Sequence, residues 1–213
     1  MSEAELRPAD EAAVRRHEDA LCELAFATGP SSYLYHFADR GVFDALVGRS
    51  LRTAGTLFGW DATTLAVDGD ALLGMLVAYP GTEYRQRQRA LAPLWAEMIE
   101  AGEIEEAAIA GILERSRRAS WLNPVLLPDV HYVHAISVAP AARGRHVGAK
   151  LLSHAAAAGR ANGARVLELD VLSDNPAVGF YRSRGLELLV ESRAPDPEAH
   201  GVPPEWRMGL ALR

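Results

Sequence analysis

Val138-Ala139-Pro140-Ala141-Ala142-Arg143-Gly144-Arg145-His146-Val147-Gly148-Ala149-Lys150-Leu151-Leu152 is the stretch on which the reading of this chain turns. An apolar run ends at a proline, a short, small and basic turn follows, and an amphipathic pattern begins at once. A strand that feeds a helix this way leaves the first N–H groups of the helix without backbone partners, which makes a natural anion site. Glycines let the backbone approach a ligand closely, and the flanking arginines add positive charge. The segment reads as a cradle for a diphosphate; the competing reading is a solvated basic turn capping an ordinary helix.

On the N-terminal side, Val130–Val138 is expected as a strand. Strict alternation would place Tyr132, His134, Ile136 and Val138 on one face and His131, Val133, Ala135 and Ser137 on the other. On the C-terminal side, the helix is expected to turn Val147, Leu151, Leu152, Ala155 and Ala158 inward and to stop at Asn162-Gly163. Val166–Leu172 then reads as a strand, Pro176 to Arg184 as a short helix ending at Gly185, and Leu186–Ser192 and Trp206–Leu212 as strands joined by a Pro-rich loop.

The N-terminal part opens on a weak strand at Leu6–Ala9, followed by a helix that Asp10 can cap. Gly29 to Ser32 reads as a turn, and Tyr33 to Leu57 as helical with breaks at Gly41 and Gly48. Thr63–Val67 and Ala71–Tyr79, joined by Asp68-Gly69-Asp70, form a hairpin signal. Glu83 to Ser120 reads as helical with a break near Gly102, and Asn123-Pro124 and Pro128 as a loop. This order gives an α/β chain of the α+β type: a mixed sheet with helices on both faces. At 213 residues it is expected to be one domain, residues 1–213, with a helical insertion at about 83–120.

Composition narrows the function classes. The formal charge is −6 and the isoelectric point about 5.7, which argues against a nucleic-acid partner. The single Cys22 allows no internal disulfide and reads as a buried helix position beside Leu21 and Leu24. The start Met1-Ser2-Glu3-Ala4-Glu5 is acidic rather than apolar, so no secretory signal is read there. Apolar runs stop short of a membrane span. A cytoplasmic chain with no membrane association is the expectation. No metal site is expected, since His17-Glu18 has no partner at ligand spacing.

Three segments carry a resemblance to a known family. Tyr132-Val133-His134-Ala135-Ile136-Ser137-Val138-Ala139-Pro140 is similar to the fourth strand of the GNAT superfamily of acyl-CoA N-acyltransferases. Arg143 to Ala149 resembles its Q/R-x-x-G-x-G/A phosphate loop. Asp174-Asn175-Pro176-Ala177-Val178-Gly179-Phe180-Tyr181, followed by Gly185, resembles its N-x-x-A-x-x-x-Y segment. All three stand in the family's order and spacing. There are two departures. His146 replaces the first loop glycine, so the backbone there would have to avoid a conformation open only to glycine. The family's asparagine falls on Asp174, with Asn175 one place closer to Tyr181.

The resemblance implies a mostly antiparallel GNAT-like sheet and acetyl-CoA as cosubstrate. The diphosphate would lie on the amides of Arg145, His146, Val147, Gly148 and Ala149, helped by Arg143, Gly144 and the Arg145 side chain. The pantetheine arm would run along Ile136, Ser137 and Val138, with Asn175, Ala177 and Tyr181 completing the cofactor side. The acceptor would be a small-molecule or peptide amine, and a homodimer is one arrangement met in the family. Acetylating an amine requires removing a proton, since an alkylamine of lysine-like pKa is neutral only on the order of one part in a thousand at pH 7. It also benefits from a donor to the departing sulfur. Tyr181 matches the family's donor. His134 is the candidate base, in a segment similar to the His-x-His-Ala of arylalkylamine N-acetyltransferases. Tyr132 and Tyr33 are candidates to bind the acceptor, along with Tyr35 and Phe37. The insertion glutamates Glu97, Glu100, Glu103, Glu105 and Glu106 could attract a cationic amine or could form a solvated helix face. The alternative function is a non-catalytic acyl-CoA sensor or interaction module of the same fold.

Overall fold

A computed structural model describes residues 4–120, 122 and 125–213. The expectations for Met1 to Glu3 and for Asn123-Pro124 lie outside the described residues. A seven-stranded sheet runs β1-β2-β3-β4-β5-β7-β6. Its strands are β1 (Glu5–Pro8), β2 (Thr63–Asp68), β3 (Ala71–Pro80), β4 (Val130–Val138), β5 (Val166–Leu172), β6 (Glu187–Ser192) and β7 (Glu205–Ala211). Every neighbouring pair is antiparallel except β4 and β5. The mixed, mostly antiparallel architecture expected from the sequence is therefore the one observed. Among the described residues, no helix is long and apolar enough to cross a membrane.

Two cores flank the sheet. On one face α1 (Glu11–Phe26) and α3 (Arg40–Leu51) pack Val14, Leu21, Phe43 and Leu51 onto Met75 and Val77. On the other, α7 (Val147–Ala161) and α8 (Ala177–Ser183) pack Leu151, Ala155 and Tyr181 onto Leu76, Val133 and Leu167. Asp10 caps α1 as expected, accepting the Ala13 N–H at 2.7 Å; such a cap contributes about 1 kcal/mol. Cys22 is buried in the first core, and desolvation lifts its thiol to about 12, so it stays protonated and packs as a small apolar group.

The early helical boundaries differ from expectation. Pro30–Ser32 form the first turn of α2 (Pro30–Phe37) rather than a free turn, because proline's fixed φ suits the first helical position. The break between α2 and α3 falls at Ala38-Asp39, where Ala38 is left-handed (φ 62°) and Asp39 accepts the Val42 N–H. It does not fall at Gly41 or Gly48, both inside α3. Gly48 serves close approach instead: a Cβ there would stand 2.8 Å from a Glu18 carboxylate oxygen.

Residues Tyr84 to Arg118 form α4 (Tyr84–Arg89), α5 (Leu91–Glu100) and α6 (Glu106–Arg118), with a left-handed Gly102 between α5 and α6. Met98, Ile109 and Ile112 pack against Leu46 of α3, so this helical segment leans on the first core. A short helix, α9 (Pro195–Ala199), interrupts the β6–β7 loop.

Candidate active site

The site begins with two irregularities in β4. Val77 pairs with Ala135 but Ala78 with Val133, so His134 is an extra residue, a β-bulge. A bulge re-aims the side chains beyond it. Tyr132 and Ala135 consequently share one core while Val133, Ile136 and Val138 pack into the other. The single-face grouping of Tyr132, His134, Ile136 and Val138 is therefore corrected: Tyr132 and Ile136 lie on opposite faces. Second, the parallel pairing of β4 with β5 runs only from Val130↔Val166 to Val133↔Leu169. Beyond Val133 the strands part, and the β5-facing edge of Ile136, Ser137 and Val138 opens onto a cavity of about 1640 Å³. It sits at the carboxyl ends of two parallel strands, where open α/β sheets bind ligands.

The turn after β4 supplies one wall. Arg143, Gly144, His146, Val147, Gly148 and Ala149 all line the cavity. The N-terminus of α7 has no side-chain cap, so its first amides face the opening. Two residues of the turn are left-handed, Gly144 (φ 78°) and His146 (φ 61°). The backbone at His146 is therefore left-handed yet stays in a region that residues other than glycine also enter. Histidine is among the residues enriched there, at a strain of about 1–2 kcal/mol. Arg145 is corrected: its amide donates to Ala142 O at 3.3 Å, its guanidinium pairs with Asp68 at 2.9 Å, and it does not line the cavity. It ties the loop to the β2–β3 hairpin.

The β5–α8 turn forms the opposite wall. Asn175 Oδ1 accepts the Ala177 N–H at 2.9 Å and its Nδ2 donates to Thr28 O at 3.2 Å. Its side chain holds the start of α8 and the α1–α2 turn in place, while Asn175 and Ala177 still border the cavity. Tyr181 lines the cavity too, 6% exposed. Burial alone lifts its phenol to about 12, so it keeps its proton at neutral pH.

Deeper in, side chains from distant segments converge. His134 packs edge-on to Phe58 at 4.7 Å, with Tyr79 and Tyr132 about it. Neither ring nitrogen meets a partner among the described residues. Burial first, and then the Arg87 charge, lower its pKa to about 4, so the imidazole is neutral. Tyr132 donates to Asp170 at 3.0 Å. Asp170 also holds Arg207 at 2.5 and 2.7 Å, and Arg207 reaches Glu168 at 2.9 Å.

Beside this network Glu205 lines the cavity without an ion pair to any described residue. Burial, then repulsion from Asp170, raise its carboxyl to about 8, against a smaller lowering by Arg207. The sequence points to the loop Ala194 to Glu205 as one that shapes the acceptor pocket but assigns Glu205 no chemical role. It stands alone at the start of β7 between Pro203-Pro204 and Trp206, in no motif, and no local signal marks it.

Tyr33 lines the cavity, its hydroxyl 3.1 Å from Thr28 Oγ1, and so does Phe37. Tyr35 does not; it donates to Asp196 at 2.6 Å and packs with Ala119 and Ala194. None of Glu97, Glu100, Glu103, Glu105 and Glu106 lines the cavity. Glu97 and Glu103 lie 3.7 Å from Arg49 instead, because the apolar face of α5 turns inward and carries its acids outward.

Comparison with known proteins agrees with this fold. The sequence model of the acetyltransferase (GNAT) family matches residues 19–186. Solved structures of similar fold include an N-acetyltransferase from Staphylococcus aureus Mu50, 15% identical, with TM-score 0.69 over 97% of this chain and 100% of that one. A polyamine N-acetyltransferase of Drosophila melanogaster that forms N-acetylagmatine is 16% identical, with TM-score 0.56 over 99% and 100%. The NatC complex bound to Gag peptide and CoA contains a chain 12% identical, with TM-score 0.54 over 100% of both chains.

Proposed function

The chain belongs to the GNAT acetyltransferase family, and from that premise we propose that it transfers an acetyl group from acetyl-CoA to a primary amine of a small molecule or peptide by direct attack in a ternary complex. The observation that carries this reading is the single cavity that joins uncapped helix amides, an open strand edge, Tyr181 and Glu205. At about 1640 Å³ it exceeds the ~300–1,000 Å³ typical of one small ligand, which leaves room for two substrates to meet.

The residues fit the cosubstrate. The α7 amides of Val147, Gly148 and Ala149, with Gly144 and the Arg143 guanidinium, would hold its diphosphate. The free edge of Ile136, Ser137 and Val138 would pair its amide arm as an added strand. Bound there, it supplies an acetyl group activated as a thioester. Everything else falls to this chain's own side chains.

Of the two candidate bases, proton affinity favours Glu205. An ammonium near pKa 10.4 gives its proton to a group of pKa about 8 far more readily than to one of about 4. We therefore assign the base role to Glu205. His134, neutral, lends its unpartnered nitrogens to orienting the acceptor. Tyr181 donates toward the departing sulfur, with Tyr132 and Tyr33 shaping the pocket between them.

A thiol-release assay over a broad panel of amines tests the proposal. Turnover with at least one amine supports it. Calorimetric binding of acetyl-CoA without turnover of any amine would overturn it in favour of an acyl-CoA sensor.

A further inference from the structure

The geometry points to a small monoamine with an apolar tail as the acceptor, its amino group at Glu205 and its tail in a channel walled by α5, α6 and α2. This rests on reading the site as an amine acetyltransferase and narrows its substrate class. The cavity does not end at the reacting groups. It continues past Tyr84, whose ring stands 5.8 Å from that of Tyr132, and past Tyr33, 6.2 Å from Phe37. Beneath the helical segment its lining is mainly apolar, with Leu91, Trp95, Ile112 and Leu113 beside Phe37 and Leu57, and includes the neutral polar Gln88 and Ser116 and the imidazole of His36.

Phe37, Trp95 and Ile112 belong to one packed cluster, so the wall is a fixed part of the fold. Leu113 remains 49% exposed while lining the cavity, and Ala92 is an exposed small residue on the same rim.

Charge decides what the tail can be. Among the described residues lining the cavity, the acids are Asp170, Asp174 and Glu205. Asp170 already holds Arg207, and Asp174 sits on the β5–α8 turn with the cofactor wall. Glu205 is left to meet one ammonium. The channel itself offers no carboxylate among the described residues, and the charged side chain at its rim is Arg85, a cation. A second ammonium would lose its hydration in an apolar passage and be repelled by Arg85. An alkyl or aryl tail would instead gain by leaving water.

The experiment uses the full chain, saturating acetyl-CoA and a series of n-alkylamines from butylamine to octylamine, with 1,8-diaminooctane as the dicationic counterpart. The expected result is a rise in kcat/KM of about fourfold per added methylene, with octylamine at least tenfold better than the diamine. Ala92→Trp, which narrows the channel rim, and Leu113→Glu, which charges its wall, should each flatten the series. A flat series, or a preference for the diamine, in a protein that does acetylate butylamine would overturn this inference and leave the acetyltransferase reading standing. A rising series that neither substitution flattens would overturn the channel. Acetyl-CoA binding with no turnover of any amine would overturn both.

Discussion

The two halves of the cavity, proposed above to take the cosubstrate and the acceptor, are built in different ways. The cofactor half, from Ile136 to Ala149, offers mainly backbone: three residues of open strand edge and the first amides of α7. The acceptor half offers side chains drawn from α2, α4, α5, α6, β4, β5 and β7, with Tyr33, Tyr84, Trp95, His134 and Glu205 meeting across long stretches of chain. A backbone site depends on conformation and tolerates many side chains. His146 can stand where the family carries glycine because it still reaches φ 61°. A side-chain site has no such tolerance, since one substitution removes the group that does the work. Substitutions in the acceptor half should therefore act on turnover, and those in the cofactor half on affinity or stability.

The sharpest way to break this contrast is Glu205→Gln. It should lower kcat by about 10²–10⁴-fold with acetyl-CoA affinity nearly unchanged by calorimetry. On the proposed base role the carboxylate is the working form, so kcat/KM of the unaltered protein should climb as pH rises toward and through about 8, and the variant should lose that limb. Stability has the opposite sign. A carboxyl whose folded pKa is raised contributes stability fully present below its unfolded pKa and lost as pH rises through about 8. Glu205→Gln should accordingly raise Tm relative to the unaltered protein most at pH 8–9. Full activity in the variant would remove Glu205 from the chemistry.

Next in size, Tyr181→Phe should lower kcat by about 10²-fold without weakening acetyl-CoA binding. A loss of affinity instead would make Tyr181 part of the cofactor wall and blur the division. On the cofactor side, Arg143→Ala should weaken acetyl-CoA about tenfold through a lost charge-assisted contact. Arg145→Ala should leave that affinity within about twofold, because Arg145 is engaged with Asp68. The smallest effect is expected for His146→Gly: about 1 kcal/mol of added stability, from relief of left-handed strain, with affinity for the cosubstrate unchanged.

Strand β4, the turn after it, α7 and the Asp10 cap could all be read from the chain, because each is set by contacts among residues near in sequence. The uncapped start of α7 was legible for the same reason: it is one turn of helix. The bulge at His134 was not. Alternation predicts faces only while both strands keep register, and the slip between Val77 and Ala78 belongs to the pairing with β3. Nor could the local sequence tell that Arg145 turns to Asp68, 77 residues away, or that Tyr35 turns to Asp196, 161 residues away.

By itself the sequence determined the element order, the strand–turn–helix that presents free amides, and the position of Tyr181. The tertiary structure alone decided which acid lines the cavity, how far its carboxyl is desolvated, and which helices wall the space beside it. Periodicity and capping act over a few residues and leave a local mark. Burial and charge proximity are sums over groups that only folding brings together, and Glu205 carries no trace of them in its own neighbours along the chain.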